Sequence, residues 1–228
     1  MRPVSFTRGF LDHPAGSCLV EFGATRVLCT VSLEASVPPF LRDKGQGWLT
    51  AEYAMLPGST SGGRKRREFG KRDGRSVEIQ RLIGRSLRAA VHLDRIGETT
   101  LTIDCDVLQA DGGTRTAAIS GAWVALHDAL GTLDSERPAE HYLKGQLAAV
   151  SVGLCDGGVV CDLDYAHDSR AEVDMNVVAL DQTFVEVQGT GEQGTFDRAQ
   201  LDGLLDAALQ GIASIQARQR QALGLSGT

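Results

Sequence analysis

The chain has 228 residues, 42% of them hydrophobic and 23% charged, an ordinary globular composition with enough apolar content for one sizeable core. No apolar run is long enough to span a bilayer, and the opening "MRPVSFTRGFLDHPAGS" holds no apolar signal core, so a cytoplasmic protein without a membrane partner is expected. The net charge of −6 argues weakly against a nucleic-acid binder, but residues 64–75, "RKRREFGKRDGR", hold seven basic and two acidic residues. That segment is +5 and the remainder −11, so a polyanion can be gripped locally while the other surfaces stay acidic.

Residues 17–33, "SCLVEFGATRVLCTVSL", predict two strands joined at Gly23-Ala24, because apolar and β-branched residues dominate and small residues mark the turn. "VPPFLRDKGQGWLTAEYAMLPGST" is rich in Pro and Gly and predicts irregular loops around a short strand near 48–53. The basic segment has no apolar period and predicts a loop that is mobile in the free protein. Residues 76–94 predict a long helix with Ser76 as its cap and Ile79, Leu82, Ile83, Leu87, Ala90 and Val91 on one face. Residues 98–113 alternate: Leu101, Ile103, Cys105 and Val107 point one way, Thr102, Asp104 and Asp106 the other. A second helix is expected over 116–130.

After a linker around "DSERPAEHYLKG", residues 147–165 read as a hairpin turning at Asp156-Gly157-Gly158, and residues 171–189 as another turning near Asp181-Gln182. The last element, 197–222, predicts a helix whose Asp197 and Gln200 resemble a capping box. Hairpins mixed with helices imply an α+β fold, with mixed sheets and the helices packed on one side. The five cysteines, Cys18, Cys29, Cys105, Cys155 and Cys161, lie in strand-like apolar stretches with no C-x-x-C, as buried reduced thiols would. The five histidines form no metal spacing.

"QADGGTRTAAISGAWVAL", from Gln109, carries the first chemical signal. Gly112 and Gly113 allow a sharp turn and close backbone approach. The free N–H groups at the next helix start attract an anion, the Thr114 hydroxyl adds a donor, and Arg115 offers a fork that matches two phosphate oxygens. Asp168 and Asp174, six apart in "YAHDSRAEVDMNVV", carry the second. Asp174 lies among apolar residues, where a charge needs a partner, a metal or a shifted pKa. Two carboxylates beside a phosphate suit Mg²⁺, and one of them suits a general acid. Equally, Asp168 could cap a helix and Asp174 could pair with Arg170 or another arginine. The basic segment reads either as solvated surface or as a grip on a nucleic-acid backbone. Arg75, placed between Asp73-Gly74 and a helix start, is suited to reach into a site. Trp48, Tyr53 and Phe69 could stack on bases, although packing is the commoner role.

Taken together, "RPVSFTRGF", "GQGWLTAEYAMLPGST", "GRSVEIQRLIGRSLRAAV", "TIDCDVLQADGGTRTAAISGA", "DSRAEVDMNVV" and "FVEVQGTGE" resemble the ribonuclease PH family, in order and over nearly the whole chain. The resemblance implies the ribonuclease PH fold (ribosomal protein S5 domain 2-like), two related β/α halves forming a single domain over 1–228. It implies a ring-shaped homohexamer, a trimer of dimers. The implied activity is a phosphate-dependent 3′-to-5′ exoribonuclease that trims tRNA precursors and other structured RNA, releasing nucleoside diphosphates, with nucleotide addition as the reverse reaction. Carried over by motif, phosphate binding falls on Arg75, Gly113, Thr114 and Arg115. The catalytic carboxylates, which would also hold Mg²⁺, fall on Asp168 and Asp174. Arg64, Arg66, Arg67 and Arg72 fall where the family contacts tRNA. Family members usually carry a short R-P-D-G-R-type leader; here Met1-Arg2-Pro3 stands after that point, and the core site is expected not to depend on the leader.

Three alternatives stay open on sequence alone: a non-catalytic RNA-binding ring subunit like some exosome core proteins, a hydrolytic metal-dependent nuclease, and a small-molecule phosphotransferase. The joint presence of Arg75, Arg115, Asp168 and Asp174 counts against the first, and the basic segment has no task in the last.

Overall fold

Period-two alternation builds the first sheet. The computed structural model describes residues 1–65 and 73–225. Its first sheet holds β1 (Val4–Arg8), β2 (Gly16–Phe22), β3 (Thr25–Glu34), β4 (Trp48–Met55) and β5 (Thr100–Gln109), in the order β1-β2-β3-β5-β4. β4 and β5 run parallel and the other neighbours antiparallel, so the sheet is mixed. Leu101, Ile103, Cys105 and Val107 of β5 are buried as the alternation requires. The β2–β3 hairpin turns at Gly23, whose φ of +58° suits a residue without Cβ.

The second sheet is antiparallel throughout: β6 (Leu147–Cys155), β7 (Gly158–Cys161), β8 (Val173–Leu180) and β9 (Thr183–Gly191), in the order β7-β6-β8-β9. Asp156 and Gly157 both have positive φ, +52° and +76°, the backbone of a tight hairpin turn.

Four α-helices complete the described structure: α1 (Gly74–Ala89), α2 (Thr114–Leu130), α3 (Tyr165–Asp168) and α4 (Arg198–Leu223). α2 is buried on nearly every side, as a helix apolar all round must be. It packs on β2 and β3 of one sheet and on β6 of the other, while α1 covers β4 and α4 covers β6 and β7. Buried polar bonds join the parts. The Ser120 hydroxyl accepts from the Ala149 N–H at 3.0 Å, and the Gln219 amide donates to the carbonyls of Ser120 and Leu147 at 2.9 and 3.0 Å.

Several boundaries differ from the sequence reading. α1 starts at Gly74 with Asp73 as its cap, and Ser76 is buried within the helix. It ends at Ala89 rather than residue 94, because Val91 leaves the helix to bridge Leu143. α2 starts at Thr114, two positions before 116, and β1 is an element the sequence did not announce. The capping box of α4 is present as expected. All five thiols are free; Cys18, Cys29 and Cys105 are buried, whereas Cys155 and Cys161 are half-buried. Arg66, Arg67, Arg72 and Phe69, with most of the segment expected to be a mobile loop, lie outside the described residues.

Candidate active site

Gly112 and Gly113 turn the chain from β5 into α2 with φ of +75° and +63°. A Cβ on Gly112 would lie 2.5 Å from the Leu163 carbonyl oxygen and 2.6 Å from the carbonyl carbon of Asp164, so only glycine fits there. The glycine loop therefore rests directly on the segment that leads into α3. Gly113 is the N-cap of α2 and supplies no capping side chain. The first-turn N–H groups lie at the positive end of the helix dipole.

A cavity of about 280 Å³ opens before this turn, lined by Gly113, Thr114, Arg75, Lys65, Tyr165 and Asp168 among others. β5 and α2 bring Thr114, α1 brings Arg75, and α3 brings Asp168. Thr114 is buried, and its Oγ1 accepts from the Tyr53 hydroxyl at 2.9 Å. With that lone pair engaged, the threonine's own O–H proton is free to donate to an anion. Tyr53 is 5% exposed. Burial pushes its phenol up, and Thr114, Arg75 and Arg115 pull it back, which puts both guanidinium groups within electrostatic reach of the Tyr53–Thr114 pair. Tyr53 is thus a support of the site rather than a stacking surface. Trp48 is likewise engaged, edge-on against Phe40 and under the Arg88 guanidinium at 5.2 Å.

Arg115 sits deeper than Arg75. Its Nη1 lies 3.3 Å from Glu78 Oε1 on α1, and its charge is felt at Asp174. The Asp174 carboxyl is pushed above the ordinary aspartate range, chiefly by burial and then by Asp168; Arg115 and a 3.4 Å bond from Asn176 Nδ2 oppose this. The cap of α3 is Asp164, which accepts from the His167 backbone at 2.9 Å and meets the His167 ring at 2.7 Å. Asp168 is the last residue of that helix, exposed at the cavity and not a cap. Arg170 bonds the Ala166 carbonyl at 3.0 Å and is not the partner of Asp174.

Among the described residues no group of three His, Cys, Asp or Glu side chains could hold a metal. That excludes an all-protein cage there. Asp168 is near enough to raise the proton affinity of Asp174, and two carboxylates are a number that Mg²⁺ accepts when water and substrate phosphates complete its shell. Arg64 is exposed just before the undescribed stretch. Tyr165, 61% exposed at the cavity, is an aromatic the sequence reading did not single out. Arg2 also reaches this region, and no local pattern could have shown it, because its partners lie more than a hundred residues away.

Residues 1–130 match the 3′ exoribonuclease family, domain 1, and residues 145–211 match domain 2 of the same family. The "Ribonuclease PH" of Corynebacterium diphtheriae is 59% identical over 225 residues, covering 98% of this chain and 93% of that protein. The "Ribonuclease PH" of Mycolicibacterium smegmatis is 58% identical over 231 residues, covering 98% and 88%. Among solved structures, rice (Oryza sativa) Rrp46 superposes with a TM-score of 0.79 at 20% identity, over 98% of this chain and 95% of that one. A chain of the "archaeoglobus fulgidus exosome with RNA bound to the active site" gives 0.77 at 20% identity, over 95% and 88%. At that identity the last two speak for the fold alone.

Proposed function

The chain belongs to the ribonuclease PH family of 3′ exoribonucleases, and on that premise we propose which of its groups carry the reaction. The enzyme is a phosphate-dependent 3′-to-5′ exoribonuclease and tRNA nucleotidyltransferase that trims the 3′ ends of tRNA precursors. Orthophosphate rests on the first turn of α2, against Gly113 and the Thr114 hydroxyl, with Arg75 and Arg115 as its cations. A phosphate oxygen attacks the terminal phosphodiester phosphorus. The bond from phosphorus to the 3′ oxygen of the preceding nucleotide breaks, the terminal nucleotide leaves as a diphosphate, and the shortened RNA takes a proton on its 3′ oxygen.

Both reactants are anions, so two guanidinium groups and a helix dipole offset their repulsion and the charge gathered in the transition state. Asp168 and Asp174 are the residues that would hold Mg²⁺, whose charge would be shared with the phosphoryl oxygens. The elevated proton affinity of Asp174 also suits it to proton transfer at the departing oxygen. Arg64, Arg66, Arg67 and Arg72 form the clamp on the tRNA backbone. One observation carries the assignment: Arg75, Thr114 and Asp168 share one cavity at the uncapped start of α2.

The same proposal treats 1–228 as a single working domain, supported by the packing of α2 on both sheets. It takes the assembly to be a homohexamer, a trimer of dimers, supported by exposed Phe184 and Val187 on the edge strand β9. A solution mass of one chain would contradict that. Among the described residues no helix is long and apolar enough to cross a membrane; the cytoplasmic location rests on the family alone. The test of the reaction is to incubate tRNA bearing extra 3′ nucleotides with and without phosphate. Nucleoside diphosphates formed only with phosphate support the reading. Monophosphates released without phosphate, or no release at all, overturn it.

A further inference from the structure

Arg2 links the two loops that form the site. Its side chain is 14% exposed, and the Asp162 side chain beneath it is fully buried. Arg2 Nε and Nη2 grip the Asp162 carboxylate at 3.0 and 2.6 Å, and the Arg2 backbone N–H adds a third bond to it at 2.9 Å. The rest of the fork reaches outward: Nη1 donates to the Asp111 carbonyl at 2.5 Å and Nη2 to the Leu163 carbonyl at 3.3 Å. Asp111 immediately precedes Gly112-Gly113, and Leu163 immediately precedes Asp164, the cap of the helix that ends in Asp168.

Each side of this link is anchored. The Asp162 N–H donates to the Ser151 carbonyl at 2.6 Å, and the Leu163 N–H to the Ser151 hydroxyl at 3.0 Å, which fastens the segment to β6. Thr25 Oγ1 accepts from the Asp111 N–H at 2.9 Å and donates to the Gly112 carbonyl at 2.7 Å, which fastens the glycine loop to β3. Asp162 has a φ of +66°, a conformation a non-glycine residue keeps only where its surroundings impose it.

We infer that Arg2 is a positioning residue: the Arg2–Asp162 pair sets the spacing between the phosphate-binding turn and the loop carrying Asp168, and through it the affinity for phosphate and the rate. The inference rests on the reading that phosphate binds at the start of α2. A guanidinium is needed because only a planar fork with several donors satisfies one carboxylate and two carbonyls on separate segments at once.

The experiment is steady-state kinetics of tRNA trimming at varied phosphate. Arg2→Ala should lower kcat/KM for phosphate by roughly 10²-fold, the scale set by small misplacement of reacting groups, while the KM for tRNA stays near its original value. Arg8→Ala serves as control. Arg8 forms a comparable ion pair with Asp128, at 2.6 Å, near the opposite end of α2, and its loss should leave the phosphate KM unchanged. Arg2→Ala strands a buried carboxylate, so the double variant Arg2→Ala, Asp162→Asn removes that charge and keeps a residue tolerant of positive φ. Positioning predicts that the double variant regains thermal stability yet keeps the raised phosphate KM. Arg2→Lys, which holds the charge but cannot bridge both carbonyls, should fall between. Wild-type phosphate kinetics in Arg2→Ala, or their return in the double variant, would overturn the inference. Arg115→Ala separates the two layers: an unchanged phosphate KM there defeats the phosphate site itself, whereas a raised KM there beside a normal one in Arg2→Ala defeats only the positioning role.

Discussion

The helices α2 and α4 begin in opposite ways. At the start of α4, Asp197 accepts from the Gln200 N–H at 2.8 Å and Gln200 accepts from the Asp197 N–H at 2.8 Å, so the helix satisfies its own end in solvent. At the start of α2, a glycine in the left-handed region offers no capping side chain, and the turn faces a cavity bearing Arg75 and Lys65. A glycine in place of a capping side chain costs a helix roughly a few tenths of a kcal/mol. α2 tolerates that small loss, because burial along most of its length holds it in place. A helix start without a capping side chain, beside two cations, is the feature on which the proposed phosphate site rests.

The largest break in this comparison comes from Arg115→Ala, expected to cut diphosphate release at saturating phosphate by roughly 10²- to 10³-fold while tRNA binding persists. Unchanged turnover would remove the anion from the start of α2. Asp174→Asn should abolish turnover as well, yet stabilise the fold at neutral pH when divalent cations are chelated. The sign follows from the raised proton affinity of Asp174. Its contribution to stability is fully present below the ordinary aspartate pKa of about 3.9 and is lost as pH rises through the higher folded-state value. The neutral amide escapes that loss, so melting curves of the two proteins should converge in acid and separate near neutrality. Parallel curves at every pH would contradict the burial argument.

Smaller effects sharpen the picture. Neutralising Arg64, Arg66 and Arg67 together should flatten the salt dependence of tRNA binding, by about one unit of slope for each RNA phosphate that is no longer neutralised. An unaltered slope would clear those arginines of the clamp. Tyr53→Phe removes the bond to Thr114, a loss of about 1 kcal/mol, and should raise the phosphate KM several-fold without touching the KM for tRNA; an identical phosphate KM would show Thr114 needs no support. Asp197→Ala should lower thermal stability by about 1 kcal/mol and leave both Michaelis constants alone, since that helix end serves only itself.

What was legible in the sequence was local. The alternation in β5, the turn at Gly23 and the Asp197–Gln200 box depend on neighbours a few positions away, and the chain writes them directly. The runs Gly112 to Arg115 and Asp168 to Asp174 stood out for the same reason, being short, but their proposed roles came from the family resemblance and not from the local pattern alone. β1 was hidden because it is a short edge strand: Val4 and Phe6 alternate with exposed Ser5 and Thr7, but two half-buried apolar residues in five make a weak signal. Ser76 and Asp73 are both good caps, and only the backbone conformation picks Asp73. Supports of the site were invisible because they act across the fold: Tyr53 meets Thr114 across 61 positions and Arg2 meets Asp162 across 160.

The most direct test of the central claim is equilibrium binding of radiolabelled orthophosphate to the enzyme without RNA. The account predicts saturable binding by the wild type and by Asp197→Ala, and its loss in both Arg75→Ala and Arg115→Ala. Undiminished binding in those two arginine variants would contradict it.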